Sequence, residues 1–424
     1  MASSLFLLAA CLQSSVTAVV GARIEIGDGT VIDKGTVLMR EGAIEEVGEN
    51  VSVPTGAEVI DGKGLTIYPG FIDGYTTRGL KLPDPPARKT PPDTRNTAPP
   101  TMWKENRRGI RADLDASKLL EIDTSDWYSQ GVLSAVVAPG GGSIRGSAAF
   151  VIYTDQKDRQ VLRPNMAMEM GFRSAAGGGG GPGGGGGGGG EGYPGSLLGI
   201  IALTRQTLYD AQTYSKATPE KEEDRDPVLA ALGPLVAGQV PALWAADTER
   251  EIGRALQIGE EFGFKVMLTG ARDAYRIAPD LKSKNVTIAL NLNAGLEPVR
   301  SNDPKATDPI PQPVLDERYQ QWLDRAQGAA VLQQSGVPFT FGSEGDSQDD
   351  FLVNIRSLIA RGFPRDAALR TLTSSAAAIL GVGDKLGTIQ KGKLANLTVM
   401  DGDFAQEKTK VKMVFVLGRK TEVK

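Results

Sequence analysis

The sequence predicts an α/β protein: a parallel sheet with crossover helices, joined to a smaller β unit built from both chain ends. Three observations predict it. Short strand-like segments broken by Gly and Asp turns occupy both ends of the chain. The middle alternates apolar strand-like runs with amphipathic helical stretches, the signature of βαβ units. A chain of 424 residues, 40% hydrophobic and 23% charged, is long enough for one large core and a second smaller one.

At the start, Ala22-Arg-Ile-Glu-Ile26, the turn Gly27-Asp28-Gly29, Thr36 to Met39, the turn Glu41-Gly42 and Ala43-Ile44 read as a small antiparallel sheet. The end repeats this texture: Leu386 to Ile389, the turn Lys391-Gly392, Ala395 to Met400, the turn Asp401-Gly402 and Val411 to Leu417. Two sheet-forming ends around a different middle are expected to pack on each other.

The clearest βαβ unit begins with the apolar run Val240 to Ala246. Thr248 and Glu251 then form a capping box, in which the hydroxyl accepts from the third helical amide and the carboxylate reaches back. Ile252, Leu256 and Phe262 follow at near-helical spacing, Gly263 stops the helix, and Lys265 to Leu268 is the next strand. Val286 to Leu292 and Val337 to Phe341 read as further strands. Leu315 to Gln334 reads as one helix with Tyr319, Leu323 and Ala326 on a face, and Phe351 to Ala360 and Ala367 to Leu380 as helices closing the region.

Two stretches depart from ordinary fold. Residues 177–190 are glycine except Pro182, so loop 175–192 is expected to be disordered, with nothing to bury and maximal backbone entropy. Loop 80–101 carries seven prolines with no apolar period, which suits a lid, a wrapping loop or disorder equally. Residues 1–18 read as an export signal: Leu5 to Leu8 is apolar and Val16-Thr17-Ala18 offers a small-residue cleavage site, although no Lys or Arg precedes Arg23. Leu8-Ala9-Ala10-Cys11 resembles a lipobox, which makes lipid anchoring at Cys11 the less favoured version of the same export reading, to a periplasmic or extracellular place.

Composition narrows the chemistry. The net charge of -4 comes without a basic stripe, so no nucleic-acid surface is expected, and no apolar run is long enough to span a bilayer. The chain has no histidine at all. Histidine is the side chain that titrates nearest neutrality and the commonest nitrogen ligand for zinc. Its absence excludes Ser-His-Asp and Cys-His hydrolysis and every histidine-dependent metal site.

The most specific motif stands where the first sheet meets the alternating middle: Val59-Ile-Asp61, then Pro69-Gly-Phe-Ile-Asp73, then Gly74-Tyr-Thr-Thr77. It resembles the amidohydrolase superfamily, in which such a strand ends in His-x-His. Gly387-Thr-Ile-Gln-Lys-Gly-Lys-Leu-Ala-Asn-Leu-Thr-Val-Met-Asp401 resembles the same family's return into its sandwich. The resemblance is strong over residues 20–77 and 330–424 and weak between them. It implies a TIM-like (β/α)8 barrel over residues 69–384, with a composite β-sandwich from residues 19–68 and 385–424. It also implies a site at the C-terminal ends of the barrel strands, where active relatives hold two metal ions.

Mapped onto that pattern, Tyr75 and Thr77 stand at the His-x-His positions, Ala245 and Thr269 at later ligand positions, and Glu344 at the place of the last-strand Asp. Neutral oxygen donors hold zinc poorly, so no binuclear centre and no cofactor are expected. A single hard cation on Glu344, Asp346 and Asp247 is the alternative, against solvated acids or helix caps. Glu344 is the candidate catalytic base, with Asp247 the alternative, and Tyr75, Thr77, Asp247, Thr269 and Asn291 are candidate binding residues, with Asn293 aimed at the same mouth. Arg272 is expected to pair with an acidic ligand there, with Asp273 or with Glu261. Asp73 is expected to accept backbone amides in its turn. Gly140 to Gly142, followed by Ser143, Arg145 and Gly146, suits an anion cradle or a plain turn. Trp103, Trp127, Tyr128 and Trp244 suit a pocket or core.

The function these readings favour is an exported amidohydrolase-like protein without binuclear-metal catalysis, acting as a binding or scaffold protein. The alternative is a hydrolase of carbon-nitrogen bonds working through a carboxylate base. The expected partner is a small-molecule ligand at the barrel mouth, with self-association left open.

Overall fold

The computed structural model describes residues 16–84, 109–173, 196–217, 221, 225–302, 309–347 and 349–423. The glycine stretch, the apolar start with Cys11, Trp103 and most of the proline-rich loop lie outside the described residues. The loop's first residues are tied down, since Lys81 N–H donates to Leu119 O at 2.8 Å.

Among the described residues sixteen strands make two sheets. In chain order they are β1 (Val16–Glu25), β2 (Val31–Arg40), β3 (Ala43–Gly48), β4 (Glu58–Asp61) and β5 (Thr66–Pro69). Next come β6 (Phe71–Thr76), β7 (Val132–Val137), β8 (Ile144–Ile152), β9 (Val161–Gly171) and β10 (Ala242–Ala246). Then follow β11 (Val266–Gly270), β12 (Thr287–Leu290), β13 (Phe339–Phe341), β14 (Leu397–Met400), β15 (Val411–Val416) and β16 (Arg419–Glu422).

The two chain ends do pack on each other. β14, from the far end of the chain, pairs antiparallel with β5, and β5 pairs with β1. β1 changes partner along its length, pairing with β4 through Thr17–Val20 and with β5 through Arg23–Ile24. The switch comes at Gly21, whose φ of 77° makes a bulge that only glycine adopts without strain. Val19, Ile24, Met39, Ile67, Leu397 and Phe415 are fully or almost fully buried in the core this produces, giving the composite β-sandwich that the sequence predicts. β1 begins at Val16, so the residues Val16 to Ala18 are part of the sheet and Ala18 is buried. Cleavage after Ala18 would remove three residues of that strand.

The second sheet runs β6 to β13 in chain order and closes on itself. At the seam Thr77 N–H donates to Glu344 O at 2.9 Å and Glu344 N–H to Tyr75 O at 2.8 Å. This is the TIM-like barrel, with one departure from (β/α)8 regularity: β8 is antiparallel to both β7 and β9. The connections on either side of β8, residues 138–143 and 153–160, are too short for the crossover that parallel strands require. The inversion brings the start of β8, and with it Arg145, to the end of the barrel where every other strand finishes.

Side chains alternate across each strand. Ile72, Val136, Phe150, Leu243, Met267 and Ala289 meet inside the barrel. Phe71, Trp244, Leu268 and Ile288 face outward, in the cluster that Trp127 joins from the helix Ser125–Ser129. Trp127 and Tyr128 therefore belong to the core, as does Trp244. The helix Glu249–Phe262 has the predicted capping box at Thr248 and Glu251, and ends at Gly263 with φ 77°. The stretch read as one helix over 315–334 is two, Gln312–Ala326 and Gly328–Ser335, and the first buries Leu315 and Trp322 instead of Tyr319, Leu323 and Ala326. The break at Gln327 resets the helical phase. Ala367 to Leu380 is likewise divided, into Arg365–Leu372 and Ser374–Ile379. Among the described residues no helix is long and apolar enough to cross a membrane.

Candidate functional site

The C-terminal ends of the barrel strands carry two charge clusters. The inner one lies inside the barrel. Glu169, on β9, is fully buried and accepts the Tyr75 hydroxyl proton, a bond from Arg145 Nη1 at 3.1 Å and one from Gly140 N–H at 2.7 Å. Gly140, Gly141 and Gly142 all have φ near +70°, a turn that glycine alone makes cheaply. The anion in the predicted cradle is thus the protein's own carboxylate. Arg145 is held in turn by Gly142 O at 2.9 Å. Burial, with Glu169 beside it, pushes the Tyr75 phenol well above its ordinary range, so it stays a neutral donor.

The outer cluster is organised by Arg272. Its Nη1 donates to Asp247 Oδ2 at 2.6 Å, its Nη2 to Glu344 Oε2 at 3.0 Å and its Nε to Asn293 O at 3.1 Å. Arg272 thus pairs with the protein's own acids at the mouth, and with neither Asp273 nor Glu261. Asp273 pairs with Arg325 and Glu261 with Arg205. Asn291 Nδ2 donates to Glu344 Oε2 at 3.0 Å and to Asp346 Oδ2 at 3.1 Å, and Asn293 Nδ2 reaches Asp346 Oδ1 at 3.1 Å. Asp247 is fixed from behind by the capping box, since Glu251 Oε2 accepts both the Asp247 and the Thr248 amides. Glu344 sits at φ 57°, a left-handed backbone that is costly for a side chain with a Cβ and that aims it across the seam.

Burial pushes the carboxyls of Glu344 and Asp247 upward, and the Arg272 guanidinium offsets part of that rise in each. Asp73 is fully buried under the seam, and desolvation raises its pKa to about 7 although Ser343 opposes the rise. Its Oδ1 accepts the amides of Tyr75 at 3.1 Å and Ser343 at 2.9 Å, the structural role its turn position predicts.

Of the sequence-selected residues, Asp247, Asn291 and Glu344 therefore converge on one cluster, while Tyr75 belongs to the inner one. Thr77 bonds the Glu344 carbonyl as part of strand closure. Thr269 faces the barrel interior, buried and with its hydroxyl unpartnered, and joins neither cluster. Glu169 escaped the sequence reading altogether. Its signal is a lone acid inside the otherwise apolar run Met166-Ala-Met-Glu-Met170.

A metal pair of the kind the family uses does not fit these residues. Ala245 offers a methyl group, and the Tyr75 hydroxyl is committed to Glu169. A single cation on Asp247, Glu344 and Asp346 fares no better, because the place between the first two carboxylates holds a tethered guanidinium and Asp346 is satisfied by two amides. Among the described residues no three acidic or thiol side chains converge as a ligand set. Among the described residues, two crevices at the mouth are small. The crevices lined by Asn291, Ser343 and Asp346, and by Arg272 and Asn293, are each about 10 Å³, the room of one water molecule.

Comparison with known proteins agrees with the fold. The Amidohydrolase family profile matches residues 324–421. No curated protein matches the chain in sequence. An amidohydrolase from Thermotoga maritima superposes with a TM-score of 0.72 at 18% identity, covering 96% of this chain and 100% of its own. A prolidase complexed with N-methylphosphonate-L-proline gives 0.53 at 16% identity over 97% and 100%. The family's sequence thus matches the C-terminal end of the chain, and the chain shares the fold of this amidohydrolase over its whole length.

Proposed function

We propose that this protein is an exported amidohydrolase-like protein that works without binuclear-metal catalysis, as a binding or scaffold protein. The observation that carries the reading is Arg272, whose guanidinium bridges Asp247 and Glu344 where a hydrolytic barrel of this family would place a metal and its water. Supporting it, each carboxylate at the mouth already has a partner within the chain. Export rests on the apolar start and is tested by the processing and compartment of the expressed full-length chain.

Elemental analysis of the purified protein, beside a hydrolysis screen of prolyl dipeptides and cyclic amides, tests the central reading. Metal well below one equivalent and no turnover are expected. Stoichiometric zinc, iron or manganese with chelator-sensitive turnover would overturn it. One feature favours the second reading, a hydrolase with a carboxylate base: burial raises Glu344 towards the range of a general base. That reading requires Glu344→Gln to abolish a turnover that the parent shows.

A further inference from the structure

Beside the two small crevices at the mouth, a far larger space lies at the opposite end of the barrel. A cavity of about 770 Å³ lies at the N-terminal ends of β9 to β12, within the range of pockets that enclose small organic ligands. Leu256, Phe264, Met267 and Ile379 form its apolar wall. Met267 and Leu380, both of which line it, also belong to the barrel's interior cluster, so the wall continues into the core.

Its rim is cationic. Arg163, Lys265 and Lys284 line the cavity against a single acid, Glu260, which pairs with Lys284. Arg163 uses one nitrogen on the Leu380 carbonyl, at 3.1 Å. The Lys265 side chain makes no hydrogen bond or ion pair among the described residues. An apolar wall under an excess of positive charge matches one ligand chemistry: a hydrocarbon chain ending in an anion.

We propose that this cavity is a binding site for an amphiphilic carboxylate, its chain against Leu256, Phe264 and Met267 and its head group at Lys265 and Arg163. The inference is independent of whether the mouth is catalytic. It places the ligand end of this barrel opposite the end used by active relatives.

Isothermal titration of the full-length protein with dodecanoate, acetate and dodecyltrimethylammonium tests it. Dodecanoate should bind saturably, while acetate, lacking the chain, and the ammonium, carrying the wrong charge, should bind about tenfold more weakly or not at all. The double variant Lys265→Glu/Lys284→Glu, both positions exposed, should lose about tenfold in dodecanoate affinity with an unchanged melting temperature. Equal binding of dodecanoate and the ammonium, or unchanged affinity in the folded variant, would overturn the proposal. So would no binding to the full chain, whether a second copy or the chain's own apolar start covers the cavity.

Discussion

Replacing Arg145 by Met should be among the most destabilising single changes available in this barrel. Arg145 and Glu169 side chains are 6% and 0% exposed, with 3.1 Å between them. Without the guanidinium, Glu169 keeps only the Tyr75 hydroxyl and the Gly140 amide, two neutral donors, in a place that water does not reach. Breaking one side of such a buried pair costs about 3–5 kcal/mol, a large part of the roughly 5–15 kcal/mol that holds an ordinary domain folded. The cost falls on the orphaned charge, so removing that charge as well should recover much of it. Gln at 169 keeps a carbonyl for the Tyr75 hydroxyl but turns an amide toward Gly140 N–H, a mismatch worth about 1–2 kcal/mol.

Urea unfolding of the parent, Arg145→Met, Glu169→Gln and the double variant measures this as a cycle. The double variant should be more stable than Arg145→Met alone, with a coupling of about 2–3 kcal/mol. A loss below about 1 kcal/mol for Arg145→Met, or a double variant no better than that single, would refute the argument that the pair is dry and mutually dependent.

Other outcomes follow from the mouth and its supports. Asp73 has its pKa raised to about 7 from 3.8, so the folded chain binds more protons than the unfolded one between those values. Its contribution is therefore fully present below about pH 4 and lost as pH rises through about 7, and Asp73→Asn should flatten that part of the stability profile in urea melts at stepped pH. Arg272→Ala should cost about 2 kcal/mol, less than a buried pair because its partners are 29% and 21% exposed, and should let manganese raise the melting temperature where the parent does not respond. Thr248→Ala should cost about 1 kcal/mol through the lost cap, and a crystal structure should show Asp247 displaced from Arg272.

What was legible in the sequence was local. The capping box at Thr248 and Glu251, the Gly263 stop and the turn at Asp73 are all written within four residues of where they act. The sheet joining the chain ends was legible because turn residues and apolar alternation repeat at both. The direction of β8 was not, because an antiparallel strand has the same composition as a parallel one, and only the shortness of its connections betrays it. Nor was the Arg145–Glu169 pair, whose members are 24 positions apart on strands whose register no local pattern fixes. The face of helix Gln312–Ala326 was misjudged because Tyr319, Leu323 and Ala326 lie half-buried beside the narrow stripe that Leu315 and Trp322 bury, and no local pattern separates the two.

The missing imidazoles leave a barrel of this frame with an electrostatic problem that its own residues solve in four ways. Carboxylates stand at the ends of its strands, and none can remain charged and unpartnered in so dry a place. Glu169 is neutralised by a buried guanidinium and two neutral donors. Asp247 and Glu344 share another guanidinium, Arg272, across the mouth. Asp346 is held by two amides, and Asp73, with no cation touching it, holds its proton up to about pH 7. Each solution uses groups tethered to the fold, so a counter-charge is removed only by substitution. That tethering gives Arg272→Ala its diagnostic value: it removes one counter-charge and leaves the frame, so metal uptake by the variant alone would identify the guanidinium as the occupant of the metal's place.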